Sequence, residues 1–263
     1  MRAILCASLI TFAAPAQGCE VALLLAVDVS GSVDPSDYRI QMDGLAAGLT
    51  DRAISDALIE GQSKLALLQW TGSGRQQVVI DWTQMRDVAD VADFADQVIA
   101  APRVWRNYST AIGDAMAMSV GAFALVPECK RYVIDISGDG PSNEGRPPRE
   151  IWPELAAAGI TVNALVIEDN VPGLTAYFEA EVITGPGAFA VTADTFADYP
   201  YEIARKLLRE LTKAVAETER GEPHFVITDF QSVITRENNL DRRAHFSRLR
   251  PVSWRDSFNG MVQ

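Results

Sequence analysis

Six short apolar runs, separated by longer segments with a helical pattern, are the feature that most constrains how this chain folds. The runs are rich in Val, Ile, Leu and Ala and mostly do not alternate with polar residues, as expected for strands covered on both faces. They predict strands at 21–27, 64–70, 77–82, 131–136, 161–167 and 188–191. Helices are predicted between and after them, at 35–58, 85–99, 111–125, 149–158, 173–182 and 196–219. This alternation predicts an α/β fold with a doubly wound, mostly parallel six-stranded sheet and helices on both faces.

One pair of apolar runs departs from the alternation of strand and helix. The runs "SKLALLQW" and "QVVIDW" are joined only by the short loop "TGSGRQ". A parallel crossover needs a dozen or more residues, whereas an antiparallel hairpin needs only a few. We therefore predict that the third strand is antiparallel and lies at the edge of the sheet.

The N-terminal segment "MRAILCASLITFAAPAQGCE" has the features of a secretory signal peptide. Arg2 supplies the positive charge, 3–14 an apolar stretch, and "APA" at 14–16 a small-residue cleavage pattern. The stretch is too short to span a membrane, and Glu20 interrupts its extension into the next apolar run. We predict a signal peptide at 1–16, a folded domain at 17–220 and a periplasmic or secreted location.

The cysteines fit an exported protein. Removal of Cys6 with the signal peptide leaves Cys19 and Cys129, each just before an apolar run, so a disulfide joins them if the two strands are neighbours. Closing so long a loop stabilises a fold by roughly 4 to 5 kcal/mol in the chain-entropy model. The alternative is that Cys19, within "AQGC", is the lipidated first residue of a lipoprotein, which leaves Cys129 unpaired.

The charge of the chain limits its partners. The formal net charge is -12, whereas nucleic acids and anionic membranes are bound by basic surfaces, so neither is expected as the main partner.

The segment 221–263 mixes arginines with scattered aromatic residues and shows no sustained period. It is interpreted as a C-terminal tail, either disordered or docked on the acidic domain or on a partner.

Three polar clusters follow the predicted strands or precede a helix. They contain Asp28, Ser30 and Ser32 in "DVSGSVD", Ser109 and Thr110 before "AIGDAM", and Asp139 in "SGDG". Ligands of open α/β sheets bind outside the carboxyl ends of the strands, where these clusters are expected to meet. Their donors are all oxygen, which suits a hard cation such as Mg²⁺ or Mn²⁺.

Each cluster also has a simpler structural interpretation. Asp34 or Ser32 can cap the helix that begins near Pro35, Thr110 can cap the helix predicted from 111, and "GDGPSNEG" can be an ordinary turn.

Other chemistries are less compatible with the chain. Both histidines lie in the tail, which argues against a zinc site of the usual kind and against a Ser-His-Asp hydrolase in the domain.

Together the motifs resemble the metal-ion-dependent adhesion site (MIDAS) of von Willebrand factor type A domains. The resemblance covers about residues 19–220 and is greatest to a DUF1194-like subgroup of exported bacterial proteins, in which "DVSGSVD" and "IDISGDG" recur. It implies a metal shell formed by Asp28, Ser30, Ser32, Thr110 and Asp139, with Ser109 as the fallback for Thr110. Where the family has "TDG" this chain has "GDG", so Gly138 puts the local hydrogen bonding in doubt.

The resemblance implies a non-enzymatic, metal-dependent protein-binding module whose cation accepts an Asp or Glu of a partner. Trp105 and Tyr108 are candidates for the rim of the partner-binding surface, where aromatic residues are favoured, although Trp105 can equally belong to the core. Two alternatives stay open. Asp28 can be the nucleophile of a Mg²⁺-dependent phosphatase, although Ser30 stands where that chemistry usually has a second carboxylate, or the metal can be purely structural.

Overall fold

The computed structural model describes residues 18–216, and the side chains up to 212. The predicted signal peptide at 1–16 and the tail at 221–263 lie outside the described residues, so both stay predictions, as do the domain boundaries. Within 18–216, no helix has both the length and the apolar character that a membrane span requires.

A six-stranded sheet forms the centre of the described fold. Its strands are β1 (Cys19–Asp28), β2 (Lys64–Trp70), β3 (Gln76–Gln84), β4 (Cys129–Gly138), β5 (Ile160–Ile167) and β6 (Ala190–Ala193). Their spatial order is β3-β2-β1-β4-β5-β6, and only the β2–β3 pair is antiparallel. The predicted fold class and the antiparallel edge strand are confirmed. Because strand order reverses between β1 and β4, a crevice is expected where these two strands end.

Seven α-helices connect or follow the described strands. They are α1 (Pro35–Thr50), α2 (Arg52–Glu60), α3 (Val88–Ala100), α4 (Ile112–Ala122), α5 (Trp152–Ala157), α6 (Leu174–Glu181) and α7 (Tyr199–Ala216). Three of these helices adjoin a short 3₁₀ turn: Phe123–Leu125 follows α4, Pro148–Ile151 precedes α5 and Phe196–Asp198 precedes α7.

The single helix predicted at 35–58 is wrong, because the chain forms two helices there. Asp51 has extended backbone angles, φ -55° and ψ 136°, and its side chain accepts hydrogen bonds from the N–H groups of Ala53 and Ile54. It therefore ends α1 and caps the start of α2.

Both faces of the sheet are buried. Alternate residues of β1, Ala22, Leu24 and Ala26, join α4, α5 and α6 in one core cluster. The intervening Leu23 and Leu25 point to the opposite face and are buried as well. Helices α1 and α7 contact each other, and α7 also contacts β5 and β6. Continuous burial of the central strands explains why their sequences do not alternate.

A disulfide joins the first residues of the two central strands. Cys19 and Cys129 are paired in the β1–β4 register, and their sulfur atoms are bonded. The predicted disulfide is confirmed, and it engages the sulfur that lipidation at Cys19 would need. It lies at the end of β1 opposite to Asp28.

Candidate metal centre

The three predicted clusters meet at the carboxyl ends of β1 and β4. Asp28 is the last residue of β1, Asp139 directly follows β4, and Thr110 precedes α4. Two backbone hydrogen bonds hold the loops together. The Gly31 N–H donates to the Tyr108 carbonyl over 2.8 Å, and the Asn143 N–H donates to the Thr110 carbonyl over 2.9 Å.

Four of the five predicted ligands form one chain of hydrogen bonds. The Ser30 N–H donates to Asp28 Oδ1 over 2.7 Å. The hydroxyl oxygens of Ser30 and Ser32 are 3.1 Å apart, and the Ser32 hydroxyl donates to Asp139 Oδ1 over 2.6 Å. The structure therefore brings together both carboxylates and both serines of the prediction.

Thr110 is placed differently from these four. It is buried, its N–H donates to Asn143 Oδ1 over 2.9 Å, and its hydroxyl makes no hydrogen bond within residues 18–216. The interpretation of Thr110 as a helix cap is wrong, because Ala111 is the N-cap of α4 and the Ser142 hydroxyl, not that of Thr110, accepts from the Ile112 N–H at the start of the helix. Ser109 is exposed and joins this region through its carbonyl, which accepts from the Thr71 hydroxyl.

Asp34 provides the helix cap that the alternative interpretation expected. Its side chain accepts from the N–H groups of Ser36 and Asp37, while the Asp37 side chain accepts from the Asp34 N–H. This capping box satisfies the first turn of α1. Ser32, the other proposed cap, instead donates to Asp139, so helix capping does not account for the polar loop that follows β1.

Asp28 carries the strongest electrostatic perturbation of the site. It is fully buried, and its Oδ2 has no hydrogen-bond partner in the described chain. Burial, followed by the charge of Asp139, raises the pKa of Asp28 to about 8. Burial also raises the pKa of Asp139. Two neighbouring carboxylates that both lose hydration leave the site short of positive charge, which a bound cation would supply.

The residues present fit a hard divalent cation. Among the described residues no group of three or more His, Cys, Asp or Glu side chains could hold a metal, so the candidate set combines two carboxylates with neutral hydroxyls. Mg²⁺ and Mn²⁺ prefer such oxygen donors. Gly138 suits the arrangement, because a Cβ atom there would lie only 3.3 Å from Asp28 Oδ2. The absence of a side chain at Gly138 leaves room for that carboxylate.

Arg103 is a site residue that the sequence did not place. Its Nη2 donates to the carbonyls of Val29 and Ser30, over 3.0 and 2.7 Å, and so fixes the loop that carries the serines. Asn143, which contacts Thr110 through both its N–H and its Oδ1, was missed as well. Both residues belong to irregular loops whose course no sequence periodicity reveals.

The two predicted rim residues lie in the loop before Thr110. Tyr108 is 43% exposed, and the Arg75 guanidinium lies over its ring at 4.0 Å. Trp105 is half-buried, between the rim and the core interpretations. The aromatic ring of Tyr108 is thus held at the surface beside the loop that carries Ser30 and Ser32, because the Tyr108 carbonyl accepts from the Gly31 N–H of that loop.

Comparison with known proteins identifies the family of the chain. Residues 18–215 match the family described as "Protein of unknown function (DUF1194)". The chain belongs to the DUF1194 family. A search of curated proteins found no match to this DUF1194 chain.

Solved structures share the fold of this DUF1194 chain at low sequence identity. Proximal thread matrix protein 1 of the mussel byssus is 17% identical, with a TM-score of 0.57, and the match covers 73% of this chain and 48% of that one. The von Willebrand factor type A protein from Catenulispora acidiphila is 18% identical, with a TM-score of 0.50 over 76% and 43% of the chains. The pilus adhesin SpaC of Lactobacillus rhamnosus GG is 14% identical, with a TM-score of 0.52 over 76% and 31%.

These comparisons establish the von Willebrand factor type A fold for the DUF1194 chain. The chain spans less than half the length of each of these solved structures. A second structure of the mussel protein, 16% identical with a TM-score of 0.50 over 75% and 49% of the chains, has a zinc-occupied MIDAS motif.

Proposed function

We propose that this DUF1194 protein is an exported, metal-dependent protein-binding module. It holds Mg²⁺ or Mn²⁺ with the side chains of Asp28, Ser30, Ser32, Thr110 and Asp139 and binds an acidic residue of a partner protein. The observation that carries the proposal is the hydrogen-bonded chain of serines and carboxylates, which begins at a fully buried Asp28 with an unpaired oxygen.

The composition of the ligand set explains why a partner would bind at the metal. Octahedral Mg²⁺ takes six oxygen ligands and usually keeps water among them. Five side chains leave one position, which an Asp or Glu of a partner can take in exchange for water. The shared fold of the zinc-occupied mussel protein supports a cation at these strand ends, while the oxygen-only donors here favour Mg²⁺ or Mn²⁺ over zinc.

The disulfide supports export. Disulfides persist in oxidising compartments such as the periplasm or the extracellular space, and Cys19 is bonded to Cys129. Together with the signal peptide predicted at 1–16, this bond supports a periplasmic or secreted protein.

The burial of Asp28 favours binding over phosphatase chemistry. A nucleophilic carboxylate must reach a phosphorus atom, whereas Asp28 is fully buried and its Oδ1 accepts from the Ser30 N–H. Phosphatase chemistry of this kind also uses a second carboxylate for acid-base catalysis, and Ser30 stands at that position instead. A purely structural metal is the remaining alternative, and chelation distinguishes it from partner binding.

The proposal is tested with a displayed library of short peptides that each carry one Asp, Glu, Asn or Gln, selected on the immobilised chain in Mg²⁺ and eluted with EDTA. We expect carboxylate-containing binders that lose binding in EDTA and on Asp139→Asn, but keep it on Asp81→Asn, an exposed aspartate of β3. Binding that survives chelation would instead indicate a structural metal or none, and enrichment without any preference for Asp or Glu would contradict the carboxylate-binding role.

A further inference from the structure

A cavity of about 360 Å³ lies between the first turn of α1 and the segment that follows α3. Three arginines line it, Arg39, Arg103 and Arg106. The chain as a whole carries a formal net charge of -12, so this cluster has the opposite sign to the protein that contains it.

The arginines are only partly compensated by the protein. Arg39 pairs with Asp43 and donates to the Ile99 carbonyl over 2.9 Å. Burial, followed by the charge of Arg106, lowers the pKa of Arg103, and the charges of Asp28 and Asp34 offset this only in part. Arg106 is exposed and forms no hydrogen bond or ion pair within residues 18–216. The cavity therefore keeps a positive charge that a bound anion would neutralise.

The wall of the cavity is held in place by buried hydrogen bonds. The Tyr38 hydroxyl donates to the Ala101 carbonyl over 2.8 Å. The amide of the fully buried Gln69 donates to the Pro102 carbonyl over 3.0 Å and accepts from the Val104 N–H over 2.9 Å. Gln69 thus holds the residues on both sides of Arg103, so the backbone of Arg103 is fixed before any ligand binds. Such preorganisation reduces the entropy that binding would otherwise cost.

Arg103 connects this cavity to the candidate metal centre. Its Nη2 donates to the Ser30 carbonyl over 2.7 Å, while its Nη1 makes no hydrogen bond with the described residues. Arginine binds carboxylates through paired, charge-assisted hydrogen bonds. An anion in the cavity would therefore lie next to the loop whose serines are assigned to the metal.

We propose that the cavity is a second carboxylate-binding site for the same partner, resting on the function proposed above. One acidic side chain of a partner segment binds the metal, and a second acidic group of that segment binds Arg39, Arg103 and Arg106. Two linked contacts raise the affinity beyond that of either contact alone. The partner is thus an acidic segment with at least two carboxylates and not one with an isolated Asp or Glu.

The test measures fluorescence polarisation of a capped peptide series on the full chain, in Mg²⁺ and in EDTA. One peptide carries a single Asp, and the others add a Glu one to five positions further along. The variants are Arg39→Gln/Arg106→Gln and, as a matched control, Arg52→Gln, an exposed arginine of α2 outside the cavity.

We expect the second carboxylate to raise the affinity about tenfold at one or more spacings, with the gain lost in the double variant and kept in Arg52→Gln. The Mg²⁺ affinity of the double variant stays that of the wild type. A second carboxylate that adds nothing at any spacing, or a gain kept in the double variant, would overturn the second site. If the gain depends on the arginines but all binding is the same in EDTA, the second site stands and the metal-dependent function fails.

Discussion

Asp28 and its neighbours show how much of the candidate site a local motif predicts. The spacing of Asp28, Ser30 and Ser32 after an apolar run predicted that they lie at the end of a strand. In the structure the Ser32 hydroxyl donates a hydrogen bond to Asp139 there. Arg103 and Asn143 escaped prediction because they reach the site through loops. Their positions depend on which carbonyls and N–H groups the folded backbone presents, and that information is not local in the sequence.

Thr110 gives a direct test of the ligand assignment against its neighbour Ser109. Thr110→Val removes the hydroxyl and keeps the shape of the side chain, so we expect Mg²⁺ affinity to fall about tenfold or more. Thr110→Ser, which keeps a hydroxyl, and Ser109→Ala should bind Mg²⁺ like the wild type in calorimetric titrations. Loss of binding in Ser109→Ala alone would exchange the roles of the two residues.

A buried charged cluster on α7 was not foreseen from the sequence. Lys206 is fully buried, and its Nζ lies 2.5 Å from Asp135 Oδ1 and 2.7 Å from Glu210 Oε1. Asn163 Nδ2 also donates to Glu210 Oε1, over 3.0 Å. Charged residues in a helical pattern ordinarily predict a solvated face. They are buried because Lys206 pairs with both Asp135 and Glu210, which only the tertiary structure reveals.

Glu210 should make stability depend on pH. Burial, followed by the charge of Asp135, raises its pKa to about 8 in the folded protein, from an ordinary value of 4.5. The folded state therefore holds a proton that the unfolded state releases as the pH rises from about 4.5 to 8, so stability is lost over that window. Glu210→Gln lacks this loss. We therefore expect the unfolding free energy of the variant, relative to that of the wild type, to rise between pH 5 and pH 9 in urea titrations in EDTA. A constant difference, or a change in the opposite direction, would contradict the assignment.

At the scale of elements, the sequence located the helices and strands better than their ends. The strand predicted at 64–70 matches β2, and every end of the others lies within two residues of the observed strand. The division of one predicted helix into α1 and α2 was missed because Asp51 is neither Gly nor Pro. Its capping role depends on a backbone turn that propensity alone does not impose.

Helix α4 provides an element-scale prediction from two of its glycines. A Cβ atom on Gly113 would lie 2.0 Å from the Arg146 carbonyl oxygen, whereas one on Gly121 would meet no atom within 4 Å. We expect Gly113→Ala to lower the unfolding free energy by about 3 kcal/mol through overpacking. Gly121→Ala should raise it by up to about 1 kcal/mol because Ala favours helix. Equal effects in urea titration would mean that α4 does not pack as closely on the 146–147 segment as the structure shows.

For the whole molecule, the topology followed from a few features of the sequence. Buried strands separated by helices implied a parallel sheet, and one short loop implied the antiparallel edge. The candidate metal centre and the disulfide then occupy opposite ends of β1, since this strand runs from Cys19 to Asp28. The cavity beside α1 could not be foreseen, because its arginines converge only when α1 and the segment after α3 are packed together.

The disulfide should stabilise the molecule without affecting the metal centre. It closes a loop with a sequence separation of 110 residues. Removing such a cross-link lowers the unfolding free energy by about 4 to 5 kcal/mol in the chain-entropy model. We expect Cys19→Ala/Cys129→Ala to show this loss in urea titration and to keep the Mg²⁺ affinity of the wild type under conditions where it is folded. A large fall in Mg²⁺ affinity would indicate that the two ends of β1 are coupled.

The central claim is that the loops after β1 and β4 hold a divalent cation, and calorimetric titration of Mg²⁺ and Mn²⁺ into the chelator-treated chain tests it most directly. The account predicts one saturable site in the wild type, with affinity about tenfold or more lower in Ser30→Ala and in Asp139→Asn. Ser36→Ala and Asp81→Asn, matched substitutions at exposed positions, should leave the affinity unchanged. No saturable binding by the folded wild type, or equal affinity in all four variants, would contradict the claim.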